Sequence, residues 1–245
     1  MQFGLLGKQL SHSFSATFFN QLFDEQNLPH HYRNYEIDDI KQFCDLVKTK
    51  DLIGLNVTIP YKSTIIPFLD NVSQEAKAIG AVNTIAIQNG KTFGYNTDVW
   101  GFEQSLINWL PKKITHKAVI LGNGGSAKAV HFVLSNLGFD IKSISRKLLD
   151  GKTGYDLIDN ELISSSPLWI NTTPCGMYPE IRDFLPLPYS LFSNKNFYFD
   201  LIYNPTTTVS AQKLSEFGVS VKNGEEMLRL QAKKSWEIWL NYLSS

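Results

Sequence analysis

Lys62 stands two residues after Pro60, at the close of the apolar run Leu52 to Ile59. A lysine on a loop at a strand end can swing an ammonium over a cleft and donate a proton to an oxygen that gains charge, although the segment taken alone favours a surface lysine. Within the run, Leu55, Val57 and Ile59 alternate with Asn56 and Thr58, so a strand here buries one face and turns Asn56 and Thr58 toward a cleft. Asn83, in Ala81-Val82-Asn83-Thr84, and Asp98, in Gly94-Tyr95-Asn96-Thr97-Asp98, place an amide and a carboxylate at the two ends of one hairpin, a pattern that turn chemistry also produces. Ser11-His12-Ser13-Phe14-Ser15 sets hydroxyls just after the first strand, where they fit a carboxylate cradle or a helix N-cap. Gln231 lies one turn after Met227 on an apolar stripe, either an amide of the site or a surface glutamine.

A second cluster suits phosphate. Ala118 to Leu121 runs into Gly122-Asn123-Gly124-Gly125-Ser126-Ala127, a G-x-G-x-x-A turn between a strand and a helix. Gly122 permits the tight turn, Gly124 lets backbone approach a pyrophosphate, and Ala127 lets the helix pack close to the strand. The helix N-terminus then offers free N–H groups to anionic oxygens. An ordinary strand-to-helix turn that binds nothing is the competing reading. The next strand ends Ser143-Ile144-Ser145-Arg146-Lys147, with no carboxylate to hold a ribose 2′-hydroxyl and a guanidinium suited to a 2′-phosphate, which selects NADP over NAD unless the two cations are simply solvated.

The elements that must position these groups follow from periodicity. Over the first hundred residues, apolar runs at 3–6, 32–37 and 52–59 alternate with helical spacing at Phe18, Phe19, Leu22 and Phe23 and again at Ile40, Phe43, Leu46 and Val47. A hairpin signal joins Val82–Gln88 to Lys91–Asn96 across Asn89-Gly90. From 117 onward strands are expected at 117–121, 139–145, 168–172, 196–203 and 219–222, with helices at 126–137 and 209–217, each closed by a glycine, and a long terminal helix at 225–243 that packs back on the first domain. The expected fold is α/β with two domains: a helix-flanked mixed sheet over 1–101, joined by the C-terminal helix 225–245, and a Rossmann-type doubly wound parallel sheet over 102–224. Lys plus Arg equals Asp plus Glu at 23 each, so no net field favours nucleic acid or an anionic membrane. Cys44 and Cys175 lack the spacing of a zinc site, redox pair or disulfide framework, so no metal is expected and a cytoplasmic protein fits. The N-terminus reads as neither signal peptide nor anchor, and the sequons at Asn56, Asn71 and Asn171 are set aside as chance matches.

Taken together the strings Ser-His-Ser-Phe-Ser (11–15), Gly-Leu-Asn-Val-Thr-Ile-Pro-Tyr-Lys (54–62), Gly-Ala-Val-Asn-Thr (80–84), Asn-Thr-Asp (96–98), Gly-Asn-Gly-Gly-Ser-Ala (122–127), Asn-Thr-Thr-Pro-Cys-Gly-Met (171–177), Asp-Leu-Ile-Tyr-Asn-Pro (200–205) and Met-Leu-x-x-Gln-Ala (227–232) resemble the shikimate dehydrogenase family over residues 3–239. The resemblance implies NADPH-linked, reversible reduction of 3-dehydroshikimate to shikimate, in the chorismate and aromatic amino acid pathway, by a monomer or homodimer whose partners are small molecules. Lys62 and Asp98 would be the catalytic pair. Ser13 and Ser15 would hold the substrate carboxylate, and Thr58, Asn83, Tyr203 and Gln231 its hydroxyls or carboxylate side. Gly122, Asn123, Gly124, Gly125 and Ser126 would hold the pyrophosphate, Arg146 the 2′-phosphate, and Leu201 and Gly224 would border the nicotinamide. Ala16, Asn123 and the Ser145-Arg146-Lys147 string depart from the usual family residues. A broader quinate/shikimate dehydrogenase using NAD, and a non-catalytic nucleotide-binding sensor, are the alternatives.

Overall fold

The computed structural model describes residues 1–10, 14–146 and 154–243. The chain divides into two compact units, Met1–Trp100 with Gln231–Ser245, and Gly101–Leu230, the divisions falling inside two helices.

The first unit is built on β1 (Gln2–Gly7), α1 (Phe14–Glu25), β2 (His31–Glu36), α2 (Phe43–Leu46), β3 (Leu52–Val57), β4 (Asn71–Val72), α3 (Gln74–Ile79), β5 (Thr84–Gln88) and β6 (Lys91–Tyr95), with the start of α4 (Asp98–Trp109). The strands form one mixed sheet in the order β2-β1-β3-β5-β6-β4. β2, β1 and β3 run parallel, whereas β5 pairs antiparallel with β3 and β6, as a hairpin requires. Asn89 and Gly90, with φ of 52° and 73°, make the tight turn that Asn-Gly favours. Phe19 and Phe23 of α1 pack with Phe3 of β1 and with Trp236 and Trp239 of the terminal helix in one buried cluster. Burial of each such side chain contributes about 1.5–3 kcal/mol, so this cluster fixes both helices on the sheet. β3 stops at Val57, two residues short of the expected end, and Ile59 is 62% exposed rather than continuing the buried face.

The second unit continues with β7 (Lys117–Leu121), α5 (Gly125–Asn136), β8 (Asp140–Ile144), α6 (Asn160–Ser165), β9 (Leu168–Asn171), β10 (Phe197–Asp200), α7 (Val209–Glu216), β11 (Ser220–Lys222) and the first turns of α8 (Glu225–Leu243). Its sheet is wholly parallel in the order β11-β10-β9-β7-β8. The chain reverses direction across the sheet between β7 and β9, and ligands of doubly wound sheets bind at the carboxyl ends of strands flanking such a switch. Gly138 and Gly218, at φ of 76° and 80°, follow α5 and α7 as left-handed closures. Trp169, Tyr198, Val119 and Leu214 anchor the core on one side of this sheet. No helix among the described residues is long and apolar enough to cross a membrane.

Candidate active site

In the first unit, three segments distant in sequence converge. Lys62 Nζ lies 2.7 Å from Asp98 Oδ2, with side chains 15% and 6% exposed. The lysine sits on the turn after β3, where Tyr61 N donates to Thr58 O, and its own carbonyl accepts from Val82 N at 2.7 Å. That bond ties the lysine loop to the segment leading into Asn83. Asp98 opens α4, and its N–H donates to Asn96 Oδ1. Asn83 Nδ2 donates to Asp98 Oδ1 at 2.9 Å and to Gln231 Oε1 at 3.0 Å, while Asn83 Oδ1 accepts from Thr97 N at 2.7 Å. The backbone donor can only face an oxygen, so the amide has one possible orientation. The carboxylate is thus held from both oxygens, by an ammonium and by an amide. Gln231 is half-buried and bonded to Asn83.

Ser15 is the second residue of α1 and hydrogen bonds the Tyr32 hydroxyl, which in turn donates to Asn56 Oδ1 at 2.8 Å. Burial pushes the Tyr32 phenol well up. Asn56 is only 6% exposed and therefore faces the interior, not a cleft. Its strand neighbour across the sheet, Thr84, receives its amide, which explains why the polar side of β3 turns inward. Thr58 is half-buried at the end of β3 and is bonded through its backbone to Leu6. Ser13 lies outside the described residues. Sequence reading missed Tyr32, Thr84, Thr97 and Ser235 as parts of this network. The signal was present for Ser235, which follows Gln231 by one turn on the stripe that ends in buried Trp239.

The second unit carries the glycine turn. Gly122 has φ of 117°, a conformation costly for other residues, and a side chain there would strike Thr172 Oγ1. Thr172 N and Oγ1 both donate to Leu121 O, at 2.9 and 2.7 Å, which locks the ends of β7 and β9 together at the switch. Gly124 begins α5 without any side-chain cap and has nothing within 4 Å of where a Cβ would stand. Asn123 and Gly124 are exposed, and Gly125 and Ser126 half-buried, in the first turn. An uncapped helix start behind an open glycine fits a pyrophosphate, which would complete the N–H groups left without partners. Arg146 is exposed two residues past β8, and Lys147 lies outside the described residues.

Leu201, Tyr203 and Gly224 also belong to the second unit. Gly224 N donates to Ile202 O at 3.1 Å, and a Cβ on Gly224 would collide with the Leu201 carbonyl, so Leu201 and Gly224 touch through backbone. Asp200, 1% exposed, shapes this loop: it accepts from Asn171 Nδ2 at 3.0 Å, Ile202 N at 3.1 Å and Thr208 Oγ1 at 2.7 Å. Burial nonetheless raises its carboxyl above the usual range. Tyr203 is half-buried, and burial raises its phenol likewise.

Comparison with known proteins adds an independent line. The family model of the shikimate dehydrogenase substrate binding domain matches residues 5–85. A shikimate dehydrogenase (NADP(+)) of Clostridium beijerinckii is 39% identical over 97% of this chain and 91% of its own. The crystal structure of shikimate dehydrogenase 1 from Peptoclostridium difficile superposes with a TM-score of 0.85 at 36% identity, covering 98% of this chain and 92% of that one. A Thermus thermophilus shikimate 5-dehydrogenase in complex with NADP(H) and shikimate gives 0.85 at 28% identity, covering 98% and 94%.

Proposed function

This chain belongs to the shikimate dehydrogenase family, and from that premise we propose that Lys62 and Asp98 are the proton-transfer pair of an NADP-dependent shikimate dehydrogenase. The enzyme interconverts shikimate and 3-dehydroshikimate. The nicotinamide cofactor, when bound, supplies the hydride for the ketone carbon. Lys62, as the ammonium, gives a proton to the ketone oxygen as charge develops there, and in the reverse direction takes it from the hydroxyl. Asp98, held at Oδ2 by Lys62 and at Oδ1 by Asn83, fixes the direction of that N–H and accepts from the reacting hydroxyl. Asn83 commits Nδ2 to Asp98 and Gln231, so Gln231 keeps its own NH₂ for a ring hydroxyl.

Ser13, Ser15 and Thr58 take the substrate carboxylate side, and Tyr203 contributes from the loop after β10. Residues 1–101 with 225–245 then form the substrate-binding and catalytic domain and 102–224 the NADP-binding domain. Gly122, Asn123, Gly124, Gly125 and Ser126 hold the pyrophosphate by backbone, Arg146 the 2′-phosphate, and Leu201 and Gly224 border the nicotinamide. The chain acts in the cytoplasm, as a monomer or homodimer, on small molecules of the chorismate and aromatic amino acid pathway. The observation that carries this reading is the braced Lys62–Asp98 contact. The test is the growth of NADPH absorbance when purified protein meets shikimate and NADP⁺. Nucleotide binding without turnover would instead mark a sensor.

A further inference from the structure

Behind the reacting pair lies a cluster of polar side chains with no direct part in proton transfer. Thr84, Thr97, Ser235 and Asn56 are 0%, 1%, 0% and 6% exposed. Thr84 Oγ1 stands at their centre, 3.1 Å from Asn56 Nδ2, 3.2 Å from Asn83 Oδ1, 3.3 Å from Thr97 Oγ1 and 2.8 Å from Ser235 Oγ. We propose that Thr84 is a positioning residue, whose buried hydroxyl holds the Asn83 amide where it braces Asp98 against Lys62. The inference rests on Lys62 and Asp98 being the reacting pair.

The donor accounting supports it. Asn56 Nδ2 can only donate, and its Oδ1 is taken by the Tyr32 hydroxyl. Ser235 Oγ donates to Gln231 O at 3.0 Å, so toward the cluster it accepts. Thr84 therefore receives from Asn56 and turns its own proton to Asn83 Oδ1, Ser235 Oγ or Thr97 Oγ1. Each direction fixes a group beside the site: Asn83 itself, the turn of α8 that presents Gln231, or the residue next to Asp98 that also accepts from Asn83 Nδ2. Without that hydroxyl, Asn83 Oδ1 is left to Thr97 alone. Asn56 and Ser235 lose a shared partner in a place closed to solvent, and buried polar groups move to recover such bonds. The amide that grips Asp98 Oδ1 loosens with them.

The test separates hydroxyl from shape. Thr84→Val keeps the branched volume and removes the hydroxyl, while Thr84→Ser keeps the hydroxyl and removes a methyl. Steady-state kinetics on shikimate with NADP⁺ and thermal melting are measured for both, beside wild type and Lys62→Met. The valine variant is expected to lose about tenfold or more in kcat, the equivalent of one hydrogen bond, with a smaller change in KM. The serine variant is expected to hold kcat within about twofold while melting at lower temperature, since a buried methyl is lost. Should Thr84→Val fail to fold, Thr84→Ala against Thr84→Ser isolates the same hydroxyl. Wild-type kcat in the valine variant, or losses of kcat that track melting temperature in both variants, overturns the positioning role. An active Lys62→Met overturns instead the assignment of the reacting pair.

Discussion

Replacing Lys62 by methionine removes the ammonium and keeps most of the stem, so it isolates the charge that sits 2.7 Å from Asp98 Oδ2. If the lysine gives the proton, its loss removes general acid catalysis worth about 10² to 10⁴ in rate, or about 3 to 5 kcal/mol of barrier. The ground state feels the change less, because the binding hydroxyls and amides remain, and the shikimate KM should move by under about fivefold. Stability answers to a different quantity. Asp98 would keep only the Asn83 donor on a side chain 6% exposed, and an unpaired buried charge costs several kcal/mol at most, less here because Lys62 is 15% exposed and water can enter its place. The double variant Lys62→Met/Asp98→Asn removes that charge and should recover most of the lost melting temperature without recovering kcat. Steady-state rates followed by NADPH absorbance, with melting curves of all three proteins, read both effects. A methionine variant that retains more than about a third of wild-type kcat would refute the proton-donor role, since it leaves under 1 kcal/mol for general acid catalysis.

Arg146→Ala should raise the KM for NADP⁺ by about tenfold, the lower end for a charged hydrogen bond because the side chain is exposed, and leave NAD⁺ nearly unchanged. An unaltered NADP⁺ to NAD⁺ ratio in kcat/KM would show that the ribose is read elsewhere. Gly224→Ala forces a Cβ into the Leu201 backbone and should both weaken cofactor binding and destabilise by about 1–3 kcal/mol; wild-type melting with wild-type cofactor KM would contradict the close approach. Glu226 is held below its ordinary 4.5 chiefly by the Lys222 ammonium, with Asn108 and Ser105 adding donors. A depressed carboxyl contributes stability above its unfolded pKa and loses it as pH falls through the folded one, so the melting advantage of wild type over Glu226→Gln should be small at neutral pH, under about 1 kcal/mol, begin to shrink below 4.5 and be gone once the pH passes below the depressed folded value. An advantage that grows on acidification would reverse the sign of the argument.

The elements most legible in the sequence were those whose apolar period and end signals agree. β7 (Lys117–Leu121) and α8 (Glu225–Leu243) fall where expected, and α5 and α7 each end two residues before the glycine that closes them. Periodicity failed where tertiary pairing decides. β4 is two residues long and exists because Asn71 and Val72 find Phe93 and Gly94 alongside them. The polar Asn160–Ser165 segment became helix with the help of its Asp159 cap, and Ile59 left the strand because Thr58 had already bonded to Leu6 and turned.

The residues that line the candidate site were named in the sequence, whereas the buried hydroxyls and amide behind them, Thr84, Thr97, Ser235 and Asn56, were not given that part, for a physical reason. Lys62 and Asp98 were singled out by the strings they share with the family, since a lysine after a strand or a carboxylate beside a turn is commonplace in local sequence. Asn56, Thr84 and Ser235 are small polar residues with nothing in the neighbouring sequence to set them apart, and locally each could be exposed. Burying any of them alone would cost about 1–3 kcal/mol in unmade hydrogen bonds. The antiparallel register that sets Asn56 opposite Thr84, and the helix that brings Ser235 within 3.0 Å of Asn56, remove that cost for all three at once. Isolated polar residues on separate buried faces therefore constrain one another: given that β3, β5 and α8 each bury an apolar face, their odd polar members must meet. That requirement also explains why the Asp98 carboxylate lies beside them. Asn83 is adjacent in chain to Thr84, so the same register that satisfies the hydroxyl presents the next amide to Asp98.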